Sequence, residues 1–137
     1  MREAEAPRVP VFALDSASIV DPQDEGAIVL TGSHGALLGG RPETAIKHPV
    51  YAAVFSDADR GAGDAGLSRL PALQARNIAG ATVSVWSARI GDGLSIYRDG
   101  FVTALNDKAL QAGCAIGMSA AEFAYLMVAA RRKELAR

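Results

Sequence analysis

The chain has 137 residues, 50% of them hydrophobic and 21% charged, with a formal net charge of −1. That size fits one domain whose core needs no metal or disulfide staple, and the balanced charge supplies no affinity for a phosphate backbone, which argues against nucleic acid as a partner. Cys114 is the only cysteine, which excludes an internal disulfide and a cysteine-built zinc site.

Residues 1–8 are charged and aperiodic and are expected to fray ahead of a single α/β domain over 9–137. They carry no apolar stretch of the signal-peptide kind, and no apolar run approaches the ~18 residues of a membrane span. The expected setting is therefore the cytoplasm, with no membrane partner.

Residues 9–14 form a short apolar run, a first strand ending at Asp15. Asp21-Pro22-Gln23-Asp24-Glu25-Gly26 is a turn by composition. Residues 27–31 are continuously apolar up to Thr31, the pattern of a strand buried on both faces. Gly32-Ser33-His34-Gly35 is expected to end it. A helix should follow from Gly35, interrupted at Gly39-Gly40 and restarting near Pro42-Glu43.

Residues 50–55 are a further strand, ending in Ser56-Asp57-Ala58-Asp59-Arg60-Gly61. Leu67, Leu70, Leu73 and Gln74 at helical spacing predict a helix over about 64–77, capped by Asp64. Residues 81–86 are rich in β-branched types and run as a strand into Ser87-Ala88-Arg89-Ile90-Gly91-Asp92-Gly93. Residues 95–113 fit helix and strand equally. Ser119-Ala120-Ala121-Glu122 is a capping box that opens a C-terminal helix, with Phe123, Leu126, Met127 and Ala130 on one stripe.

Strands alternating with polar loops and helices predict a small three-layer α/β fold. Its sheet is mostly parallel, Rossmann-like, with covering helices and room for one antiparallel edge strand. The connection over 15–26 barely reaches crossover length, so the first strand is the expected antiparallel or edge member.

In open parallel sheets, ligands bind beyond the carboxyl ends of the strands. The loops 32–35, 56–61 and 87–93 all lie there. In the first, Gly32, Ser33 and Gly35 are expected to bind a ligand. An anion would sit on the N–H groups of a helix starting at Gly35, with His34 as acid or base. No Gly-Lys-Ser/Thr follows, which excludes a Walker loop.

In the second loop, Ser56, Asp59 and Arg60 are candidate ligand contacts and Asp57 a candidate catalytic carboxylate. Asp57 and Asp59 together have the spacing to hold Mg²⁺, and Arg60 the shape to clamp a carboxylate or phosphate. Asp57-Ala58-Asp59 after an apolar strand superficially resembles the opening of haloacid dehalogenase phosphatases. The Gly-Thr continuation is missing and too little chain follows, so the resemblance does not extend to the family. In the third loop, Ser87 and Arg89 are candidate ligand contacts, and Asp92 is placed to orient His34. The plain alternative is a surface Arg89–Asp92 pair.

No Gly-x-Ser-x-Gly elbow is present, which weighs against a serine hydrolase. His48 precedes Pro49 at a strand entrance, away from the chemistry. Cys114 reads as a buried inert thiol, Trp86 and Tyr97 as core or pocket wall, and Asn106 as a cap or a ligand contact.

The expected function is a small-molecule enzyme or enzyme subunit, of hydrolase, isomerase or lyase type, acting on a small anionic metabolite. The alternative is a non-catalytic binding or regulatory subunit. Tyr125 and Val128 point away from the core stripe of the last helix, which predicts a homo-oligomer.

Overall fold

The strands form where β-branched and small apolar residues run without a break. In the computed structural model, which describes residues 8–137, these are β1 (Val11–Leu14), β2 (Ile28–His34), β3 (Ala52–Ser56), β4 (Ala79–Val83) and β5 (Val102–Leu105). They make one sheet in the order β1-β2-β3-β4-β5. The pairs β1–β2, β2–β3 and β3–β4 are parallel and β4–β5 is antiparallel. Apart from Arg8, the segment expected to fray lies outside the described residues.

The mostly parallel three-layer architecture is as the sequence implies, with two corrections. The antiparallel edge strand is β5, while β1 pairs parallel with β2 at the other edge. Two 3₁₀ turns, Ala17–Ile19 and Pro22–Asp24, carry the short crossover that a full helix could not. The strand order is also sequential, without the reversal of a doubly wound sheet.

That order has a consequence for the layers. Three parallel crossovers step the same way along the sheet, so crossovers of one hand all cover one face. Ala17 and Val20 from the first, Ala45 and Ile46 from the second, and Leu73 from the third pack there on Val29, Ala53 and Phe55. The opposite face carries Ile28, Leu30, Val54 and Ala81, covered by Ile96, Ala109, Phe123 and Met127. Those four come from α2 (Gly93–Asp99), α3 (Asp107–Gln111) and α4 (Ala120–Leu135).

The crossovers themselves are less helical than the sequence predicts. Between β2 and β3 there are only 3₁₀ turns, Leu38–Gly40 and Pro42–Thr44, because Gly39 and Gly40 both take positive φ. Before β4, α1 spans only Arg69–Ala75. Asp64 does not cap it; its own φ is +57° inside a preceding 3₁₀ segment, and α1 starts after Ser68 without a side-chain cap. At α4, Ser119 accepts from the Glu122 amide at 3.1 Å and donates to the Glu122 carboxylate at 3.3 Å. No helix among the described residues is long and apolar enough to cross a membrane.

Candidate functional site

The site grows from an irregularity in β2. Leu30 pairs with Val54 and His34 with Ser56, so four steps along β2 match two along β3. This bulge carries β2 through Gly32 and Ser33 to His34, where the sequence suggests an abrupt end, and it re-aims both polar side chains at the rim. Ser33 Oγ accepts from the Ala17 amide at 2.8 Å, which fastens β2 to the exit of β1. The Ala36 amide donates to His34 Nδ1 at 3.2 Å. The neutral ring therefore carries its proton on Nε2.

Behind His34 lies Arg69, the first residue of α1 and only 5% exposed. Its Nε donates to the carbonyls of His34 and Ala36, and its Nη1 to those of Thr44 and Ala45, at 2.7–3.1 Å. The guanidinium also stacks on the Phe55 ring, 4.8 Å from its centroid. No carboxylate among the described residues pairs with it, and Nη2 is left without a protein partner. Burial lowers its pKa from the ordinary arginine value, yet a guanidinium keeps its charge in proteins. Backbone carbonyls and a ring face, in place of a carboxylate, surround this charge.

Arg69 and His34 line a cleft of about 410 Å³ with Ser16, Ser18 and Ser33, over a floor that includes Ala17 and Ile46. It opens between the first and second crossovers, on the α1 side of the sheet. Lys47 and Glu43 stand at its mouth, both exposed, and Glu43 is already paired with Arg41 at 2.7 Å.

The three predicted loops do abut one another, through backbone. The Gly35 amide donates to Ser56 O at 2.7 Å, and the Gly91 amide to Gly32 O at 2.8 Å. A Cβ on Gly35 would meet the Gly66 carbonyl, and one on Gly32 would lie 2.5 Å from the Asp15 carbonyl. Glycine at both positions is thus required by close backbone approach.

The side chains part company. Of the predicted contacts, Ser33 and His34 line the cleft, while Asp57, Asp59, Arg60, Ser87, Arg89 and Asp92 do not. Asp57 is buried, with Oδ1 accepting from the Asp59 and Val85 amides and Oδ2 from the Thr103 hydroxyl. Asp59 accepts instead from the Trp86 indole at 3.3 Å, so the two carboxylates face different partners. No three His, Cys, Asp or Glu side chains among the described residues gather as a metal site.

Arg60 reaches Thr103 O at 3.3 Å and Asp64 at 3.8 Å. Arg89 is 81% exposed in its side chain and 4.0 Å from Asp92, which caps α2 through the Ser95 amide. Ser56 Oγ accepts from the Ala58 amide, and Ser87 Oγ bridges Ser84 O and the Phe101 amide.

The expected helix start at Gly35 is absent, and with it the anion cradle. The amides of Gly35, Ala36, Leu37 and Leu38 all have internal acceptors: Ser56 O, His34 Nδ1, Ser68 Oγ and Thr44 Oγ1. Asn106 is a structural plug, accepting from Gly80 and Ala109 and donating to Ile78 and Leu70. Trp86 is 83% exposed and belongs to no core.

Fold and site together define a small α/β protein with a cleft lined by Arg69, His34 and three serines at the carboxyl ends of β1 and β2. Compared with models of known protein families, with curated proteins and with solved structures, the chain matches none.

Proposed function

We propose that this protein takes a small anionic metabolite into the His34–Arg69 cleft and acts on it as an enzyme or an enzyme's subunit. The observation that carries this reading is the buried Arg69 guanidinium, which has no acidic partner among the described residues and lines the cleft beside a histidine. Arg69 holds the anion. His34 offers Nε2–H to negative charge as it develops on the substrate, and can release that proton to it. Hydrolysis, isomerisation and elimination all have room for such a donor.

A second reading is a non-catalytic binding or regulatory subunit. It is favoured by the consumption of Asp57, both of whose oxygens already accept hydrogen bonds. Glu43, the one carboxylate among the described residues that lines the cleft, is paired with Arg41. Calorimetric titration with a panel of small organic anions, followed by turnover assays on each hit, separates the two. Turnover that His34→Gln abolishes supports the enzyme; binding without turnover supports the subunit.

The chain's net charge of −1 suits a small-molecule ligand better than nucleic acid. The cytoplasm is the proposed setting. The proposed working form is a homo-oligomer, supported by an apolar groove of about 510 Å³ between α2, α4 and the exposed edge of β1, which includes Val11, Tyr97, Tyr125 and Val128.

A further inference from the structure

The cleft also specifies what kind of anion fits, an inference that rests on the small-anion reading above. One wall is a row of hydroxyls. Ser33 Oγ lies 3.5 Å from Ser16 Oγ, which lies 2.8 Å from Ser18 Oγ. Three hydroxyl protons share these two contacts, and none of the three hydroxyls donates to a carbonyl or carboxylate. At least one proton is therefore left to point away from the row. Arg69 and His34 also line the cleft, and among the described residues neither Arg69 Nη2 nor His34 Nε2 has a hydrogen-bond partner. The polar groups of the cleft thus include hydroxyls and N–H donors beside the apolar Ala17, Leu38 and Ile46, and they favour a small ligand that carries oxygen acceptors.

Charge narrows the choice. Arg69 and Lys47 stand at the cleft with Glu43, itself paired with Arg41, so the surroundings are net positive. Sites for phosphate are commonly built from successive backbone N–H groups, and those of residues 35–38 already have acceptors. A volume of about 410 Å³ sits at the low end for metabolite pockets.

We infer that the cleft is a site for a small hydroxycarboxylate, its carboxylate on Arg69 and His34 and its hydroxyl on the Ser33–Ser16–Ser18 row. The recognition is that of a polar site which loses hydrogen bonds when the ligand lacks a hydroxyl.

Titration of the full chain with glycerate, propanoate and inorganic phosphate at fixed ionic strength tests this. Glycerate is expected to bind about tenfold tighter than propanoate, with phosphate weakest. Ser18 is exposed, and the one hydrogen-bond contact of its hydroxyl among the described residues is with Ser16 Oγ. Ser18→Ala should therefore lower glycerate affinity toward that of propanoate and leave propanoate unchanged. Equal binding of glycerate and propanoate, or tightest binding of phosphate, overturns the hydroxycarboxylate inference while the small-anion reading stands. Failure of all three to bind overturns the inference, and failure of the wider anion panel as well overturns the reading beneath it.

Discussion

Arg69 Nε donates to the backbone carbonyl of His34 at 3.0 Å. The buried cation and the ring that line one cleft are thus held by the same few atoms. Disturbing either moves both.

Arg69 therefore serves the fold as well as its proposed role toward an anion. Arg69→Ala leaves the carbonyls of His34, Ala36, Thr44 and Ala45 without their donor. A loss of at least about 1–3 kcal/mol is expected, the cost of leaving a buried acceptor unsatisfied. Arg69→Lys retains the charge but not the planar fork, and should lose less. Urea unfolding midpoints of the two variants measure the difference. A fall below about 1 kcal/mol for Arg69→Ala contradicts the proposed anchoring.

Close backbone packing beneath the cleft makes Gly35 equally sensitive. An added methyl at Gly35 meets the Gly66 carbonyl and lies 2.9 Å from Thr82 Cγ2. Gly35→Ala should cost about 1–3 kcal/mol as overpacking and weaken anion binding by shifting His34. Gly61→Ala is the wrong control because its φ is positive; Ala65→Gly, at an exposed position nearby, is a fairer one.

Alkaline pH should destabilise the protein. Burial pushes the Cys114 thiol from 9.0 up to about 11. Burial first, and then the hydrogen bond to Glu134, pushes Tyr51 from 10.0 up to about 12. In both, the unfolded chain releases its proton before the native one does. Stability is thus fully present below the unfolded value and is lost as pH rises through the folded one, by at most about 2–3 kcal/mol per group. Cys114→Ala should flatten the decline between pH 9 and 11, and Tyr51→Phe between 10 and 12. The same burial predicts that Cys114, 5% exposed, reacts with thiol reagents at neutral pH only after unfolding.

The first three strands were legible because their signal is local: a run such as Ile28-Val29-Leu30 between turn residues admits few other readings; the strand expected over 81–86 lies earlier, at Ala79–Val83, and β5 lay in a segment that fitted helix and strand equally. The crossovers were not legible. Gly39 and Gly40 adopt positive φ and turn an expected helix into 3₁₀ turns, and nothing in composition distinguishes that from an interrupted helix. In the site, Ser33 and His34 were visible as polar residues after an apolar strand. Arg69 was missed because it stands among the leucines of α1, where an arginine ordinarily reads as a solvated flank. Its role depends on carbonyls 24 to 35 residues away. The one local clue is that Arg69 adjoins Leu70, a stripe position, on a helix too short to have a fully polar face. Asp57 misled for the converse reason: its partners Val85 and Thr103 are distant in sequence, so a carboxylate wholly used in structure looked free.

Assembly is open to a direct test. Tyr125 is 75% exposed beside the β1 edge, and an exposed apolar edge strand invites pairing with a second copy. Sedimentation velocity at micromolar concentration should show a species heavier than the 14.2 kDa chain. Tyr125→Asp should shift it to monomer without changing the unfolding midpoint appreciably. A wild-type protein that sediments as a monomer contradicts the homo-oligomer.

The central claim is that the His34–Arg69 cleft receives a small anion. Amide chemical-shift mapping of the ¹⁵N-labelled protein during titration with glycerate tests it most directly, because it locates the site as well as detecting binding. The account predicts saturable shifts at Ser18, Ser33, His34, Ala36 and Thr44, with a change in the His34 ring signals. Shifts confined to the α2–α4 groove around Tyr97 and Tyr125, or none at saturating anion, would contradict it.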